Sequence, residues 1–340
     1  MNSLKVLELY SGIGGMHFAL KESKIPGEII VAADINTVAN SVYRYNFPSC
    51  HLIGKNIQSL TANFIDKLEI DVILMSPPCQ PFTRVGKKRD INDKRSDSLL
   101  SLIKILPQLK SLKMILLENV TGFEVSEARN LLIEELKNSF TFLEFILNPS
   151  QFGIPNSRER YYLLAKCCSS GFVEQPDKTL ITDAKFLINY ETKQQIIKDI
   201  LEFSDDSDEY SKYLVPLDVL KKRIKVMDIV TKTSNRSCCF TKAYSRFTEG
   251  TGSVYCPHDE SAIEQISEIK NICETEVNLK LLEGLRLRFF TPKEVSRLMC
   301  FPENFEFPKE ITLRQKYKLL GNSINVFVVS KLISFMTKTA

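Results

Sequence analysis

One cysteine of this sequence stands in an unusually rigid loop. Cys79 lies in the stretch SPPCQPFTR, residues 76–84, where two prolines precede it directly and a third follows two residues later. Proline fixes φ and lacks an N–H, so this stretch can be neither a helix nor a central strand. The apolar run DVILM, residues 71–75, comes immediately before it and is typical of a buried strand. A thiol held at a strand end can act as a nucleophile once its pKa is lowered.

The alternative is that Cys79 is a buried structural cysteine, which is the commoner fate of this residue type. The prolines beside it, together with the polar Gln80 and Thr83, make a poor core segment. In an open α/β sheet, ligands bind beyond the carboxyl ends of the strands. The sequence therefore favours a nucleophile that faces a crevice.

A glycine turn follows the first apolar run of the chain. The stretch YSGIGGMHFAL has glycines at positions 12, 14 and 15, and His17 stands where the third glycine of G-x-G-x-x-G would fall, so the dinucleotide pattern fails. Asp34 comes 20 positions after Gly14, at the end of the next apolar run, where it could accept hydrogen bonds from a ribose diol. A nucleoside cofactor without a pyrophosphate fits this pattern, for example S-adenosylmethionine with its carboxylate at the helix N-terminus. The alternative is a tight turn without a ligand.

Two further loops could bring charged groups to the same crevice. Glu118 ends the apolar run in LLENV, where burial could keep its carboxyl protonated as a hydrogen-bond donor. Arg158 and Arg160 alternate in NSRER, so both would point to one side of an extended chain. The alternative for this pair is two surface arginines.

The elements that must position these groups alternate along the first half of the chain. Apolar runs at 4–10, 28–34, 71–75 and 114–118 predict parallel strands, with helical stretches between them. In one of these, EARNLLIEELKNSF, the spacing places Leu131, Leu132, Leu136 and Phe140 on one face. The runs FTFLEFILN and RYYLLAK predict a closing antiparallel pair. We therefore expect an α/β fold with a doubly wound, mostly parallel, Rossmann-like sheet.

The alternation ends after Lys166, which predicts a second, smaller domain. We expect a first domain over residues 1–170, a second, smaller domain over 171–285 and a return to the first domain over 286–340. The acidic tract near 198–212 predicts a flexible, solvated insertion in this smaller domain. Order returns at TPKEVSRLM, where Thr291 and Glu294 form a capping box, and SINVFVVSKLISFM predicts a last helix on the sheet.

Composition limits the other possibilities. Nine cysteines without a C-x-x-C pair, and only three histidines, predict neither a disulfide framework nor a metal site. The close pair Cys256 and His258 is a weak exception. The net charge of +4 permits a nucleic-acid partner without arguing for one. We found no apolar run as long as the ~18 residues of a membrane helix. The cysteine usage and the absence of a long apolar run predict a protein of a reducing compartment without membrane attachment. We expect it to be a monomer located in the cytoplasm, the nucleus or both.

Five motifs together resemble one family. LELYSGIGG, SPPCQPF, ENV, RER and LLGNSINV appear in the order found in the cytosine-5 methyltransferases, and they span residues 7–326. Within that family the chain resembles the tRNA(Asp) type through CFTKAYSRFTEGTGS at 239–253, IPNSRERY and FTPKEV. Asn156 stands where the DNA enzymes usually carry glutamine, and Thr83 where they usually carry serine.

The resemblance implies a mechanism. The Cys79 thiolate would add to C6 of cytosine, Glu118 would hold N3 and the exocyclic amine, and Arg160 with Arg158 would fix the O2 side. The methyl group of S-adenosylmethionine would pass to C5, leaving S-adenosylhomocysteine. A base or water would then remove the C5 proton, and Cys79 would leave. The implied substrate is the anticodon-loop cytosine 38 of tRNA(Asp).

The resemblance also implies that residues 1–170, completed by 286–340, form the catalytic domain and that 171–285 form the target-recognition domain. It implies binding residues as well. The cofactor positions are Tyr10, Ser11, Gly12, Ile13, Gly14, Gly15, Asp34, Ile35, Asn56, Ile57, Ser76, Asn322 and Ser323. The basic loop after the nucleophile, RVGKKRDINDKR, suits closure over a phosphate backbone. Aromatic residues among the lysines and arginines of 213–285 would suit unstacked bases. The nucleic-acid positions are Arg84, Lys87, Lys88, Arg89, Cys239, Phe240 and Thr241.

Two rivals to a tRNA methyltransferase remain at this stage. A DNA cytosine-5 methyltransferase would use the same chemistry, and a non-catalytic binder could keep the fold. The presence of Cys79, Glu118 and Arg160 together argues against the binder. Composition does not separate RNA from DNA.

Overall fold

The structure is a computed structural model that describes residues 3–78, 96–173, 180–188, 193–259 and 279–338. Within these ranges an eight-stranded sheet forms the centre of the molecule, with the strand order β3-β2-β1-β4-β5-β7-β6-β8. Its strands are β1 Leu4–Leu9, β2 Gly27–Ala33, β3 Leu52–Ile53, β4 Val72–Met75, β5 Met114–Val120, β6 Phe140–Leu147, β7 Arg160–Cys167 and β8 Leu180–Ile181.

The sheet confirms the predicted α/β architecture. Strands β3, β2, β1, β4 and β5 pair in parallel, and β7 is antiparallel to both β5 and β6. The four predicted parallel strands and the closing antiparallel pair are therefore present. The two-residue strands β3 and β8 were not predicted, because runs this short carry no periodicity.

Ten α-helices lie within the described residues. They are α1 Gly15–Ser23, α2 Thr37–Asn46, α3 Ala62–Asp66, α4 Asp97–Ile105, α5 Glu127–Leu136, α6 Leu217–Arg223, α7 Leu279–Gly284, α8 Pro292–Leu298, α9 Leu313–Gly321 and α10 Val326–Met336.

Helices cover both faces of the large sheet. Side chains alternate along β1, so that Val6 packs in a core with α1, α2 and α10, while Leu7 packs in a second core with α3, α4 and α5. A sheet covered on both faces is the doubly wound arrangement. On α5, Leu132 and Leu136 are buried as predicted, whereas Leu131 is 37% exposed. Phe140 belongs to β6 and not to this helix.

The C-terminal segment returns to the first helix. The capping box predicted at Thr291 and Glu294 is present at the start of α8. Helix α10 is almost wholly buried and hydrogen-bonds through Ser334 to the Ser23 carbonyl at the end of α1. The stretch Leu313–Met336 is long and apolar enough to cross a membrane by composition, contrary to our reading of the sequence, but 67% of its most apolar window is buried inside the protein, as in a core helix.

A three-stranded sheet lies in the segment predicted to recognise the target. Its strands are β9 Asp228–Val230, β10 Ser253–Tyr255 and β11 Arg288–Phe289, with β10 in the centre. Helices α6 and α7 pack with it around a separate small apolar cluster. The proposed domain boundaries remain a prediction, because Phe240, Tyr244 and Tyr255 of this segment belong to the large core.

The acidic tract differs from a wholly solvated insertion. Ile197, Ile200 and Tyr210 are buried, and the Tyr210 hydroxyl donates to the Arg286 carbonyl at 2.8 Å. Most of the acidic side chains are exposed, but Asp205 accepts from the Tyr255 hydroxyl at 3.0 Å. The buried apolar residues do not repeat with a helix or strand period across the whole segment, so the sequence did not reveal this attachment.

Candidate active site

The glycine turn between β1 and α1 is shaped by close packing. Gly14 is the N-cap of α1 with φ of 87°, a left-handed conformation that favours glycine. A Cβ at Gly14 would lie 2.6 Å from Cε2 of Phe47, and one at Gly15 would lie 2.6 Å from Cγ1 of Ile324. The turn is therefore fixed by α2 on one side and by the C-terminal segment on the other.

Asp34 stands at the end of β2 beside this turn. Its Oδ2 accepts from the Gly12 N–H at 2.8 Å, and its Oδ1 accepts from the Asn36 N–H at 2.7 Å. Burial raises the pKa of Asp34 above its ordinary value, against these hydrogen bonds. Each carboxylate oxygen can accept a second hydrogen bond, so Asp34 keeps the capacity to bind a diol. The adjacent Ile35 is 65% exposed, as an apolar wall for a planar ring would be.

A cavity of about 510 Å³ opens at this edge of the sheet. Every predicted cofactor residue except Gly14 lines it. Among the buried polar atoms of the described chain, Ser11 Oγ is one without a hydrogen-bond partner, so it can bind a ligand. A nucleoside with a carboxylate fits these donors and acceptors, although their roles as cofactor contacts remain predictions.

The opposite end of the same cavity contains the predicted acid. Glu118 lies on β5 with 7% of its surface exposed, and Arg160 Nε lies 3.4 Å from its Oε1. Burial raises the pKa of Glu118, while Arg160 and Arg158 act in the opposite direction without cancelling the effect. Burial therefore favours the protonated form of this carboxyl, which could donate a hydrogen bond.

The predicted nucleophile lies outside the described residues. Cys79 follows Ser76, Pro77 and Pro78, all of which line the cavity. The Asn119 amide donates to the Pro77 carbonyl at 3.3 Å, which ties the end of β4 to that of β5. The strand that leads to Cys79 therefore ends at the cavity that contains Glu118.

The two arginines have different surroundings. Arg160 faces Glu118, whereas the guanidinium of Arg158 donates to three main-chain carbonyls, those of Phe240 at 3.1 Å, Gly321 at 3.2 Å and Ser323. Arg158 thus joins β7, the 239–242 loop and the C-terminal segment. This arrangement favours a positioning role for Arg158 over the direct contact with the base that we predicted.

The predicted nucleic-acid residues are only partly at the site. Arg84, Lys87, Lys88 and Arg89 lie outside the described residues. Phe240 is 2% exposed and packs edge-on against Tyr244 and Phe290, so it is not available to stack on a base. An aromatic residue could either stack on a base or pack in the core, and the sequence did not distinguish these two roles.

The other two residues of this group lie beside the arginines. Cys239 Sγ is 3.4 Å from an Arg158 nitrogen and 3.9 Å from one of Arg160. Burial would raise the pKa of Cys239, but the two arginines outweigh it and lower the pKa. Thr241 is half-buried and its N–H donates to the Thr251 carbonyl.

Sequence reasoning missed two lysines and the function of an asparagine. Lys242 and Lys318 line the cavity. Lys242 lies within the quoted stretch CFTKAYSRFTEGTGS and Lys318 directly precedes LLGNSINV, and this proximity to motifs was the available signal. Asn156, the position that departs from the DNA enzymes, donates to Ser237 Oγ and to the Cys238 carbonyl, each at 3.1 Å. It therefore holds the 237–239 segment beside β7.

No metal centre is apparent in the part of the chain that the structure describes. No group of three or more His, Cys, Asp or Glu there could hold an ion. His258 instead contacts the Gly284 carbonyl through Nε2 at 2.8 Å, and Cys256 is buried.

A doubly wound sheet with a nucleoside-sized cavity, a buried acid and a facing arginine at its carboxyl edge is typical of a nucleoside-binding α/β protein of the Rossmann-like class. A model of the family described as C-5 cytosine-specific DNA methylase matches residues 4–338. The chain belongs to this family of cytosine-5 methyltransferases, and membership implies S-adenosylmethionine-dependent methylation of cytosine at C5.

Individual relatives cover the whole length of the chain. It is similar to the tRNA (cytosine(38)-C(5))-methyltransferase of Spodoptera frugiperda, at 48% identity over 98% of this chain and 99% of the relative. The Homo sapiens protein of the same name is 42% identical, over 99% of this chain and 100% of that one. A crystal structure of a Spodoptera frugiperda DNMT2 mutant superposes with a TM-score of 0.89 at 47% identity, covering 99% of this chain and 100% of that one.

Proposed function

We propose that this protein methylates C5 of cytosine in RNA, and that its substrate is the anticodon-loop cytosine 38 of tRNA(Asp). The chemistry rests on the Glu118–Arg160 pair, with 3.4 Å between Oε1 and Nε, at the end of a nucleoside-sized cavity. The RNA substrate is supported by the names of the two relatives, each of which matches at least 98% of this chain.

Cys79 starts the reaction in this proposal. Its thiolate adds to C6 of cytosine, which makes C5 nucleophilic. Glu118, kept protonated by burial, donates to N3 and accepts from the exocyclic amine as negative charge develops on the ring. Arg160 holds the O2 side, and Arg158 fixes the loops on either side of it.

Bound S-adenosylmethionine would supply an electrophilic methyl group that C5 takes up. A base or water then removes the C5 proton, the C5–C6 double bond re-forms and the Cys79 thiolate leaves. Asp34 would hold the ribose diol, and Ile35 would pack on the adenine. The helix α1 N-terminus with Ser11 would receive the carboxylate. The Asn322–Ser323 segment would close the other side.

An unpaired cytosine is the better substrate for this site. A base in a duplex must be flipped out at a cost of a few kcal/mol before Cys79 can reach C6. An anticodon-loop base is already unpaired. In this proposal Lys242 and Lys318, which line the cavity, would contact the phosphates on either side of it.

DNA is the second candidate substrate, because the family model is named for DNA methylation. Bisulfite sequencing of tRNA and of duplex DNA, each incubated with equal enzyme and S-adenosylmethionine, separates the two. We expect methylation at cytosine 38 of tRNA(Asp), with Cys79→Ser as the inactive control. Methylation of DNA at an equal or higher rate would make DNA the substrate.

The remaining assignments are part of the same proposal. Residues 171–285 would recognise the target and residues 1–170 with 286–340 would bind the cofactor. The protein would act as a monomer in the cytoplasm or the nucleus. Sedimentation of the purified protein with and without tRNA tests the oligomeric state. We expect a monomer alone and a complex of one protein per tRNA.

A further inference from the structure

A fully buried carboxyl lies under the glycine turn and has no part in the proposed reaction. Glu8 is the fifth residue of β1 and is 0% exposed. Leu4 and Val6, on the same face of the strand, pack in the core with α1 and α2. Glu8 therefore occupies a position where this strand would otherwise present an apolar residue, and a buried acid needs a compensating set of contacts.

Those contacts come from the first turn of α1 and from α2. Glu8 Oε1 accepts from the His17 N–H at 3.2 Å, and Oε2 accepts from the Tyr43 hydroxyl at 2.7 Å. His17 is the third residue of α1, and the N–H groups of a first turn have no partner within the helix. The N-cap, Gly14, has no side chain to supply one. Glu8 thus provides, from inside the sheet, the acceptor that a serine or aspartate N-cap usually supplies.

The surroundings of Glu8 control its charge. Burial raises its pKa to about 8, the hydrogen bonds from Tyr43 and His17 oppose the rise, and Asp34 adds to it. His17 stays neutral, because burial lowers its pKa to about 3. Its Nδ1 lies 2.9 Å from the Tyr43 hydroxyl. The titratable groups around Glu8 are His17 and Lys21 on α1, Tyr43 on α2, Cys50 after α2 and Asp34 after β2.

We propose that Glu8 is a positioning residue for the cofactor: it holds the first turn of α1 beneath the glycine turn, and its charge state sets how strongly this helix end attracts the cofactor's carboxylate. The inference rests on the proposed cofactor site. With Glu8 neutral, the partial positive charge of the helix N-terminus is available to the ligand. With Glu8 ionised, a second negative charge lies at the same helix end and the carboxylate binds more weakly.

The test is the pH dependence of S-adenosylhomocysteine binding, measured by calorimetry from pH ~6.5 to ~9, a range that brackets the raised pKa. We compare the unaltered protein with Glu8→Gln, whose amide can still accept from the His17 N–H. Glu28→Gln is the matched control, because Glu28 is an exposed carboxyl on the neighbouring strand. The ligand's own amine titrates equally in all samples, so differences between proteins report the protein.

We expect the dissociation constant of the unaltered protein to rise about two- to fivefold more over this range than that of Glu8→Gln, the usual strength of one charge at a helix end. Glu28→Gln should follow the unaltered protein. Tyr43→Phe removes a hydrogen bond that favours the ionised carboxyl, so its midpoint should move to higher pH.

Parallel pH profiles for the unaltered protein and Glu8→Gln would overturn the inference. If circular dichroism shows that Glu8→Gln does not fold, the folded Tyr43→Phe variant decides. An unshifted midpoint in the pH dependence of its S-adenosylhomocysteine binding would then overturn the inference. Absence of S-adenosylhomocysteine binding by the unaltered protein at every pH would refute the proposed cofactor site itself, a different outcome.

Discussion

Gly321 allows the end of α9 to pack directly against the main chain of the 241–242 loop, and this contact helps to form the site. It is the last residue of α9, and a Cβ built there would lie 2.2 Å from both the Lys242 nitrogen and the Thr241 carbonyl carbon. Real Cβ contacts at this distance do not occur, and the obstacle is main chain that no rotamer change can remove. The same junction receives the Arg158 hydrogen bond to the Gly321 carbonyl at 3.2 Å.

Gly321→Ala must therefore push the 241–242 loop away from the C-terminal segment. Overpacking of this kind costs about 1–3 kcal/mol, and we expect the upper part of that range because backbone must move. Urea unfolding followed by circular dichroism measures the loss of stability. Methyl transfer to tRNA should fall as well, since Lys242 and Asn322 both line the cavity.

Gly284→Ala is the matched control. Gly284 is also the last residue of a helix, and a Cβ there would meet nothing within 4 Å. It should leave stability unchanged or raise it by about 0.4–1 kcal/mol, because alanine lowers the conformational entropy of the unfolded chain. If Gly321→Ala proves as stable and as active as Gly284→Ala, the close approach does not shape the site and this reasoning is refuted.

Three further substitutions test other parts of the structure. Glu118→Gln should lower turnover by about 10²–10⁴ while cofactor binding is kept, because an amide cannot exchange a proton as charge develops; turnover within threefold of the parent removes Glu118 from the mechanism. Asp34→Ala should weaken S-adenosylhomocysteine binding by roughly 5- to 150-fold in calorimetry, and unchanged affinity would place the diol elsewhere. Arg288→Met leaves Glu294, its fully buried partner, unpaired, so urea unfolding should show a loss of about 3–5 kcal/mol. Adding Glu294→Gln should recover part of that loss, and no recovery would contradict the pairing argument.

Local patterns were enough to predict six of the eight strands of the large sheet. Buried parallel strands are nearly continuous apolar runs, which made β1, β2, β4 and β5 readable, and the capping box at Thr291 has its own short signature. The glycine turn, Asp34 and Glu118 were predicted to meet because strand ends share one edge of a sheet. The cavity brings these residues together.

The contacts that could not be predicted join distant segments. Arg158 donates to carbonyls 82 and 163 residues away in sequence, and nothing local distinguishes it from Arg160. Glu8 is one of two charged residues in the first apolar run, and its partners on α1 and α2 become apparent only once the helices cover the sheet. Main-chain acceptors have no residue type, so a pattern of side chains cannot reveal them.

The most direct measurement is covalent trapping of the enzyme on its substrate. tRNA(Asp) with 5-fluorocytosine at position 38 should form a stable adduct in the presence of S-adenosylmethionine, because fluorine on C5 cannot leave as a proton does. Peptide mass spectrometry should locate the adduct at Cys79, and Cys79→Ser should form none. An adduct on Cys239 or another cysteine, or no adduct with an RNA that the enzyme methylates in its unmodified form, would contradict the account.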